Sequence, residues 1–238
     1  MQLERILHCQ GFGSRKEVRR LIRAGWVEIA GEVCDDPFAE FATENLSFSV
    51  DGEIWQYQEQ AYLMLHKPAA YETSHKPIHH PSVFSLLPEP LRTRGVQAVG
   101  RLDQDTTGLL LFTDDGQFIH RLSSPKRHIA KTYVVTTKHE ITPEQIANLQ
   151  SGVLLHDETE PLSAHECTVL EPNCLRLAIT GGKYHQVKRM VAAAGNRVEQ
   201  LERVAIGNLH LPHDLAPGAW RWLSAAEVQA AQTGIANL

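Results

Sequence analysis

No apolar run in this sequence approaches the roughly 18 residues needed to span a bilayer. The opening residues, Met1-Gln2-Leu3-Glu4-Arg5, have neither the charge order nor the apolar core of an export signal, so a cytoplasmic protein is the expectation. Cysteine is scarce: Cys9, Cys34, Cys167 and Cys174 stand far apart with no Cys-x-x-Cys pair. That spacing speaks against a zinc site or a disulfide frame and for reduced thiols. His79 and His80 are adjacent but lack a spaced partner, and read as surface residues rather than metal ligands. No internal repeat, low-complexity tract or nucleotide-cofactor motif is present.

What is present is enough apolar material for a sizeable core. With 238 residues, 42% of them hydrophobic, the chain fits one large domain or one large and one small. Its net charge of -5 is unpromising for general adhesion to nucleic acid, but the cations are clustered. Arg15 to Arg23 holds five Lys or Arg against Glu17 alone, and Arg121 to Lys138 holds five with no acid. Local basic clusters in an acidic whole suit a selective contact better than general adhesion to nucleic acid.

Leu3, Ile6 and Leu7 fall at helical spacing, and Gly11-Phe12-Gly13 interrupts the helix. Ser14-Arg15-Lys16-Glu17 is a capping box that starts a second helix, with Val18, Leu21 and Ile22 on its apolar stripe and Arg15, Arg19 and Arg23 together on another face. Val27 and Ile29 alternate as a strand that turns at Gly31. Asp51 to Gln60 reads as a linker, Tyr62 to Leu65 as a strand, and residues 72–95, rich in Pro and His, as an irregular insertion. The centre of the chain is Gly100-Arg101-Leu102-Asp103-Gln104-Asp105-Thr106-Thr107-Gly108, followed by the apolar run Leu109 to Phe112. A short apolar run bounded by turn residues reads as a buried strand, so the polar segment before it has a rigid support. Thr106 and Thr107 are expected to fix that loop by side-chain-to-backbone hydrogen bonds. Lys131 to Thr136 alternates as a further strand, and Val187, Met190, Val191 and Ala194 mark a helix with one buried face, preceded by Gly181-Gly182.

Taken alone, an Arg-Leu-Asp before a strand is more often an ion pair than a nucleophile, and Asp-x-Asp is a weak metal signal. The whole set is more specific. The central loop, Asp114-Asp115-Gly116-Gln117, Lys131-Thr132-Tyr133 and Gly182-Lys183-Tyr184-His185-Gln186-Val187-Lys188-Arg189-Met190 together resemble the RsuA-type pseudouridine synthases, over nearly the full chain. The N-terminal helices and hairpin, through Ser14, Arg15, Arg19, Leu21, Ile22, Gly25, Val27 and Gly31, resemble an αL-type (S4-like) RNA-binding module. Two departures stand out where the family carries Asn-Lys-Pro-x-Gly: His66 replaces Asn and Ala70 replaces Gly, around a matching Lys67 and Pro68. If that glycine position needs positive φ, Ala70 costs about 1 kcal/mol.

The resemblance implies an α+β protein: a small αL-type module with its linker over residues 1–58, and a larger mixed, mainly antiparallel-sheet pseudouridine synthase domain over 59–238. It implies an enzyme that isomerises a uridine of ribosomal RNA, without metal or small-molecule cofactor, since the reaction changes no redox state. Asp103 is then the nucleophile, Lys188 the cation that keeps it ionised, and Tyr133 the aromatic that stacks on the target base. Arg101 helps hold the flipped-out nucleotide, and Arg15, Arg19, Arg23, Lys131, Lys183 and Arg189 are expected to contact RNA. The target implied is uridine 516 of 16S rRNA, in a partly assembled small-subunit particle. A 23S rRNA uridine, a non-catalytic ribosome-assembly factor and a hydrolase using Asp103 with Asp105 are the alternatives; the last lacks suitably spaced further ligands.

Overall fold

A computed structural model describes residues 1–234; residues 235–238, the end of the expected second domain, lie outside the described residues. The chain forms two compact units. One comprises Met1–Ala61 together with Leu87–Gln97, the other Tyr62–Leu86 and the described chain from Ala98 onward.

In the first unit, α1 (Leu3–Cys9) and α2 (Arg15–Arg23) pack their apolar stripes together. The capping box at Ser14 forms as the sequence suggests: the Glu17 carboxylate accepts the Ser14 amide at 2.8 Å, and the Ser14 hydroxyl accepts the Glu17 amide. Strands β1 (Val27–Ile29) and β2 (Glu32–Val33) make the expected hairpin. The expected linker is instead partly structured: β3 (Ser47–Val50) and β4 (Glu53–Gln56) pair through Asp51-Gly52, both at positive φ. An Asp-Gly pair with two left-handed residues is a tight hairpin turn whose twist matches its strands, and the polar residues after it conceal that second strand. The sheet order is β2-β1-β3-β4, and Leu3, Ile6, Leu7, Val18, Ile22, Val27, Phe48 and Val50 form the core beneath it. Part of the expected irregular insertion is also ordered, as a 3₁₀ turn at Val83–Leu86 and a helix, α3 (Glu89–Arg94). The α3 segment belongs with the first unit, where Arg94 donates to Gln10 and to the Gln58 carbonyl.

The second unit is a mixed α/β layer. Its strands are β5 (Tyr62–Lys67), β7 (Thr107–Thr113), β8 (Lys131–Thr137), β9 (Glu166–Glu171), β10 (Cys174–Ile179), β11 (Val198–Ile206), β12 (Leu209–His210) and β13 (Trp220–Trp222), with the two-residue β6 (Gln97–Ala98) at the boundary in sequence. Helices α4 (Gly116–Ser123), α5 (Pro143–Ser151), α6 (Gln186–Ala193) and α7 (Ala225–Ala231) complete it. The main path through the sheet is β13-β5-β7-β11-β8-β10-β9. Its neighbours are antiparallel except β7 and β11, which run parallel with Gly108 opposite Arg203. Gly108 sits at φ 100°, and a Cβ there would lie 2.3 Å from the Arg203 carbonyl oxygen, so only glycine allows this approach. β7 is buried along nearly its whole length, with Leu109, Leu110, Leu111 and Phe112 fully inside, as the apolar run requires. Among the described residues no helix is long and apolar enough to cross a membrane.

Candidate active site

The loop before β7 carries Asp103 to one wall of a pocket of about 410 Å³, within the range of roughly 300–1,000 Å³ common for ligand sites. The other wall is the turn Thr180–Lys183 and the first turn of α6; the floor is built by Lys131, Tyr133, Leu201, Arg203 and Ile206 from β8 and β11. Pairing explains the floor. Tyr133 lies directly opposite Arg203, and Lys131 precedes Tyr133 by the two-residue interval that returns a strand to the same face.

Lys188 projects from α6 between two carboxylates. Its ammonium donates to Asp103 at 3.1 Å and to Asp105 at 2.6 Å. Burial works against its charge, but these hydrogen bonds outweigh the burial and hold its pKa above the ordinary lysine value. Burial likewise pushes Asp105 up, and the Lys188 bond and charge reverse that and hold its carboxyl below the usual range. His185, at φ 49° and heading α6, places Nε2 3.4 Å from the second oxygen of Asp103. No group of three or more His, Cys, Asp or Glu suited to a metal ion occurs among the described residues. The space between the two aspartates is taken by the lysine.

Beneath the loop is a residue that the sequence marked only as a match. Lys67, at the end of β5, is fully buried, and its ammonium donates to the carbonyls of Pro68, Gln104 and Thr106 at 3.0, 3.1 and 2.9 Å. Burial pushes its pKa down to about 8 even though the charges of Asp105 and Asp103 pull the other way. Ala70 adopts φ 63°, the conformation expected where the resembling family has glycine, and its amide donates to Gln104 at 2.8 Å. The loop bearing Asp103 is thus held from below by a buried cation and a strained turn. Of the two expected threonine anchors, Thr107 makes a side-chain-to-backbone bond, to the Leu201 carbonyl at 3.5 Å, whereas the Thr106 hydroxyl is buried without a hydrogen-bond partner among the described residues and its carbonyl takes the Lys67 bond.

The other sequence-derived candidates divide. Tyr133 is 9% exposed in the pocket floor, and Arg101 is exposed at the pocket with no hydrogen bond or ion pair among the described residues. Lys131 is inside the pocket rather than on the surface, donating to the Leu122 carbonyl, with its pKa pushed down to about 8 by burial and by Arg203. Lys183 and Arg189 flank the α6 start, but each is ion-paired to the loop between Val153 and Leu162: Lys183 to Glu158, Arg189 to Asp157. On α2, Arg15 and Arg23 are exposed, whereas Arg19 grips Glu4 and lies over the Phe38 ring. His66 in place of Asn sits 3.4 Å from Glu202 and bonds the Leu215 carbonyl.

A family profile for RNA pseudouridylate synthases matches residues 61–193, which span the loop, Tyr133, Lys188 and all but the last floor strand. The chain belongs to that family of isomerases, and to its RsuA type. It is 42% identical to the ribosomal small subunit pseudouridine synthase A of Yersinia pestis, over 96% of this chain and 97% of that protein. It is 41% identical to the uncharacterized RNA pseudouridine synthase YtzG of Bacillus subtilis, over 96% and 97%. Among solved structures, a pseudouridylate synthase crystal structure matches with a TM-score of 0.69 and 34% identity, covering 97% of this chain and 99% of that one.

Proposed function

We propose that this protein isomerises uridine 516 of 16S rRNA to pseudouridine, in the cytoplasm and on a partly assembled small-subunit particle. The names of relatives about two-fifths identical over nearly the whole chain support the small subunit as target. The observation that carries the chemistry is the Asp103 carboxylate, 3.1 Å from the Lys188 ammonium, at the wall of a pocket floored by Tyr133.

In this reading Asp103 is the nucleophile and Lys188 is the cation that hydrogen-bonds and orients its carboxylate. The target uridine leaves its stack and enters the pocket, where the Tyr133 ring supplies a stacking surface worth roughly 1 to 3 kcal/mol. Arg101, exposed and unpaired among the described residues, holds the extruded nucleotide at the mouth. The N-terminal unit serves as the αL-type RNA-binding module, with Arg15 and Arg23 toward phosphate; Arg19 contributes by fixing α1 to α2 through Glu4. The Bacillus subtilis relative, about as similar, is uncharacterized, which keeps a 23S rRNA uridine as the second reading of the target.

The test is incubation of the purified protein with 16S and 23S transcripts and partly assembled small subunits, followed by pseudouridine mapping by carbodiimide-stopped reverse transcription. One new stop on small-subunit RNA, lost in Asp103→Asn while RNA affinity is retained, is the expected result. Turnover by Asp103→Asn overturns the assignment of the nucleophile, and a stop on 23S rRNA alone overturns the target.

A further inference from the structure

Four buried side-chain polar atoms lack a hydrogen-bond partner among the described residues, and two of them, Thr106 Oγ1 and Arg203 Nη2, belong to residues lining the pocket beside Asp103. Arg203 is the more costly of the two. It is 4% exposed, its Nε donates to the Leu109 carbonyl at 2.8 Å, and no carboxylate pairs with it among the described residues. Lys131, close enough for its charge state to feel Arg203, also has no acid partner there and spends one of its donors on the Leu122 carbonyl. Two neighbouring cations with no counter-charge are expensive inside a protein, and are retained where a ligand supplies the missing charge.

The surroundings say which part of a nucleotide that is. Arg203 lies opposite Tyr133 across the β8–β11 pair, on the floor of the pocket, with Leu201 and Ile206 beside it. A phosphodiester continues in both directions and stays hydrated, so it suits the mouth. A flat heterocycle with carbonyl oxygens at its edge suits a floor made of an aromatic ring, apolar side chains and a planar guanidinium. We propose that Arg203, with Lys131 beside it and Thr106 completing the edge, binds the uracil carbonyl oxygens and takes up the negative charge left on the base while it is detached from ribose. This rests on the isomerase reading above. When the N1–C1′ bond breaks, its electron pair goes to the base, and the charge spreads from N1 onto the two carbonyl oxygens. The Asp103 carboxylate bonds C1′ as N1 leaves and is displaced when C5 bonds C1′; C5 gives its proton to solvent and N1 takes one up, so the product is an isomer and nothing is oxidised. A fixed donor array that meets the charge as it develops is the arrangement that lowers such a barrier. It also holds the base while it turns to present C5.

The test uses the full chain and tritium release from RNA labelled at uridine C5. Arg203→Ala is expected to slow single-turnover release by about 100-fold with RNA affinity within about threefold of wild type, the split that marks an interaction made during reaction. Guanidinium at tens of millimolar is expected to restore about tenfold, and sodium chloride at equal ionic strength nothing. Lys131→Gln, at a half-buried position, is expected to lose about tenfold in rate without loss of affinity. A folded Arg203→Ala protein within threefold of wild type, or one that guanidinium does not rescue, overturns the assignment. If Arg203→Ala does not fold, Lys131→Gln decides: an unchanged rate overturns it. Wild-type protein that releases no tritium from 16S transcripts, 23S transcripts or partly assembled small subunits overturns the isomerase reading itself, which separates the two failures.

Discussion

The Lys67 ammonium lies 2.9 Å from the Thr106 carbonyl, wholly inside the protein, and the same group binds the carbonyl of Gln104. One buried cation therefore ties the strand end at β5 to the loop that presents Asp103. Replacing it with methionine removes a desolvated charge and orphans three carbonyls, two effects of opposite sign that leave stability changed by about 1–2 kcal/mol. Geometry suffers more. Lys67→Met is expected to cost about 100-fold in kcat, the scale for an ångström of misplacement, with RNA affinity unchanged. Near-wild-type kcat in the variant would show that the loop holds its shape without this tether.

The same burial gives a pH signature. Lys67 and Lys131 each have a folded-state pKa of about 8 against an ordinary 10.5. Between those values the unfolded chain binds more protons than the folded one, so their contribution makes stability rise as pH climbs from about 8 to 10.5. Urea midpoints at pH 8, 9 and 10 are expected to rise less in Lys67→Met than in wild type; parallel curves would refute the assignment.

Ala70 offers a gain rather than a loss. A non-glycine residue at φ 63° carries about 1–2 kcal/mol of strain, part of which a glycine's larger unfolded-state entropy cancels. Ala70→Gly is expected to stabilise by about 0.5–1 kcal/mol, seen as a Tm increase of about 2 °C by calorimetry. A lower Tm would mean the alanine methyl makes packing contacts worth more than the strain.

Asp157 and Glu158 hold Arg189 and Lys183 by ion pairs at the edge of the pocket. If those cations contact RNA phosphate, the acids compete with the substrate. Asp157→Asn with Glu158→Gln is expected to tighten RNA binding about three- to tenfold at low salt and to steepen its salt dependence by up to about two contacts. Unaltered affinity and slope in a filter-binding series would assign both cations to holding the 153–162 loop.

The legible parts of the fold were those with a local signal. The Ser14–Glu17 capping box, the apolar run at Leu109 to Phe112 and the periodic face of Val187, Met190 and Val191 each carry their structure in a few neighbouring residues. β4 was obscured because the residues after Asp51-Gly52 are mostly polar, and α3 because Pro88 and Pro90 bracket its start. In the site, Asp103, Tyr133 and Lys188 came from long motifs, and the structure brings all three to one pocket. Lys67 and Arg203 gave no comparable signal. Each is the single Lys or Arg of its strand, and its meaning depends on sheet order: Arg203 meets Tyr133 only because β11 lies between β7 and β8. Lys183 and Arg189 looked free since their partners lie some 25 to 32 residues earlier in a loop of no particular pattern.

That insertion of β11 also governs when the pocket comes into being. β7 and β8 follow one another in sequence, yet they never pair directly along the sheet; Val198–Ile206 must arrive from about 60 residues downstream and slot between them. Such long-range pairing has to close a large loop before it returns any stabilisation. A nascent chain that has emerged only as far as α6 already owns Asp103, Tyr133 and Lys188 but lacks β11, the floor strand that aligns them. Catalytic competence is therefore a late event in the biogenesis of this protein, gained in one step when the chain beyond α6 is committed to the sheet.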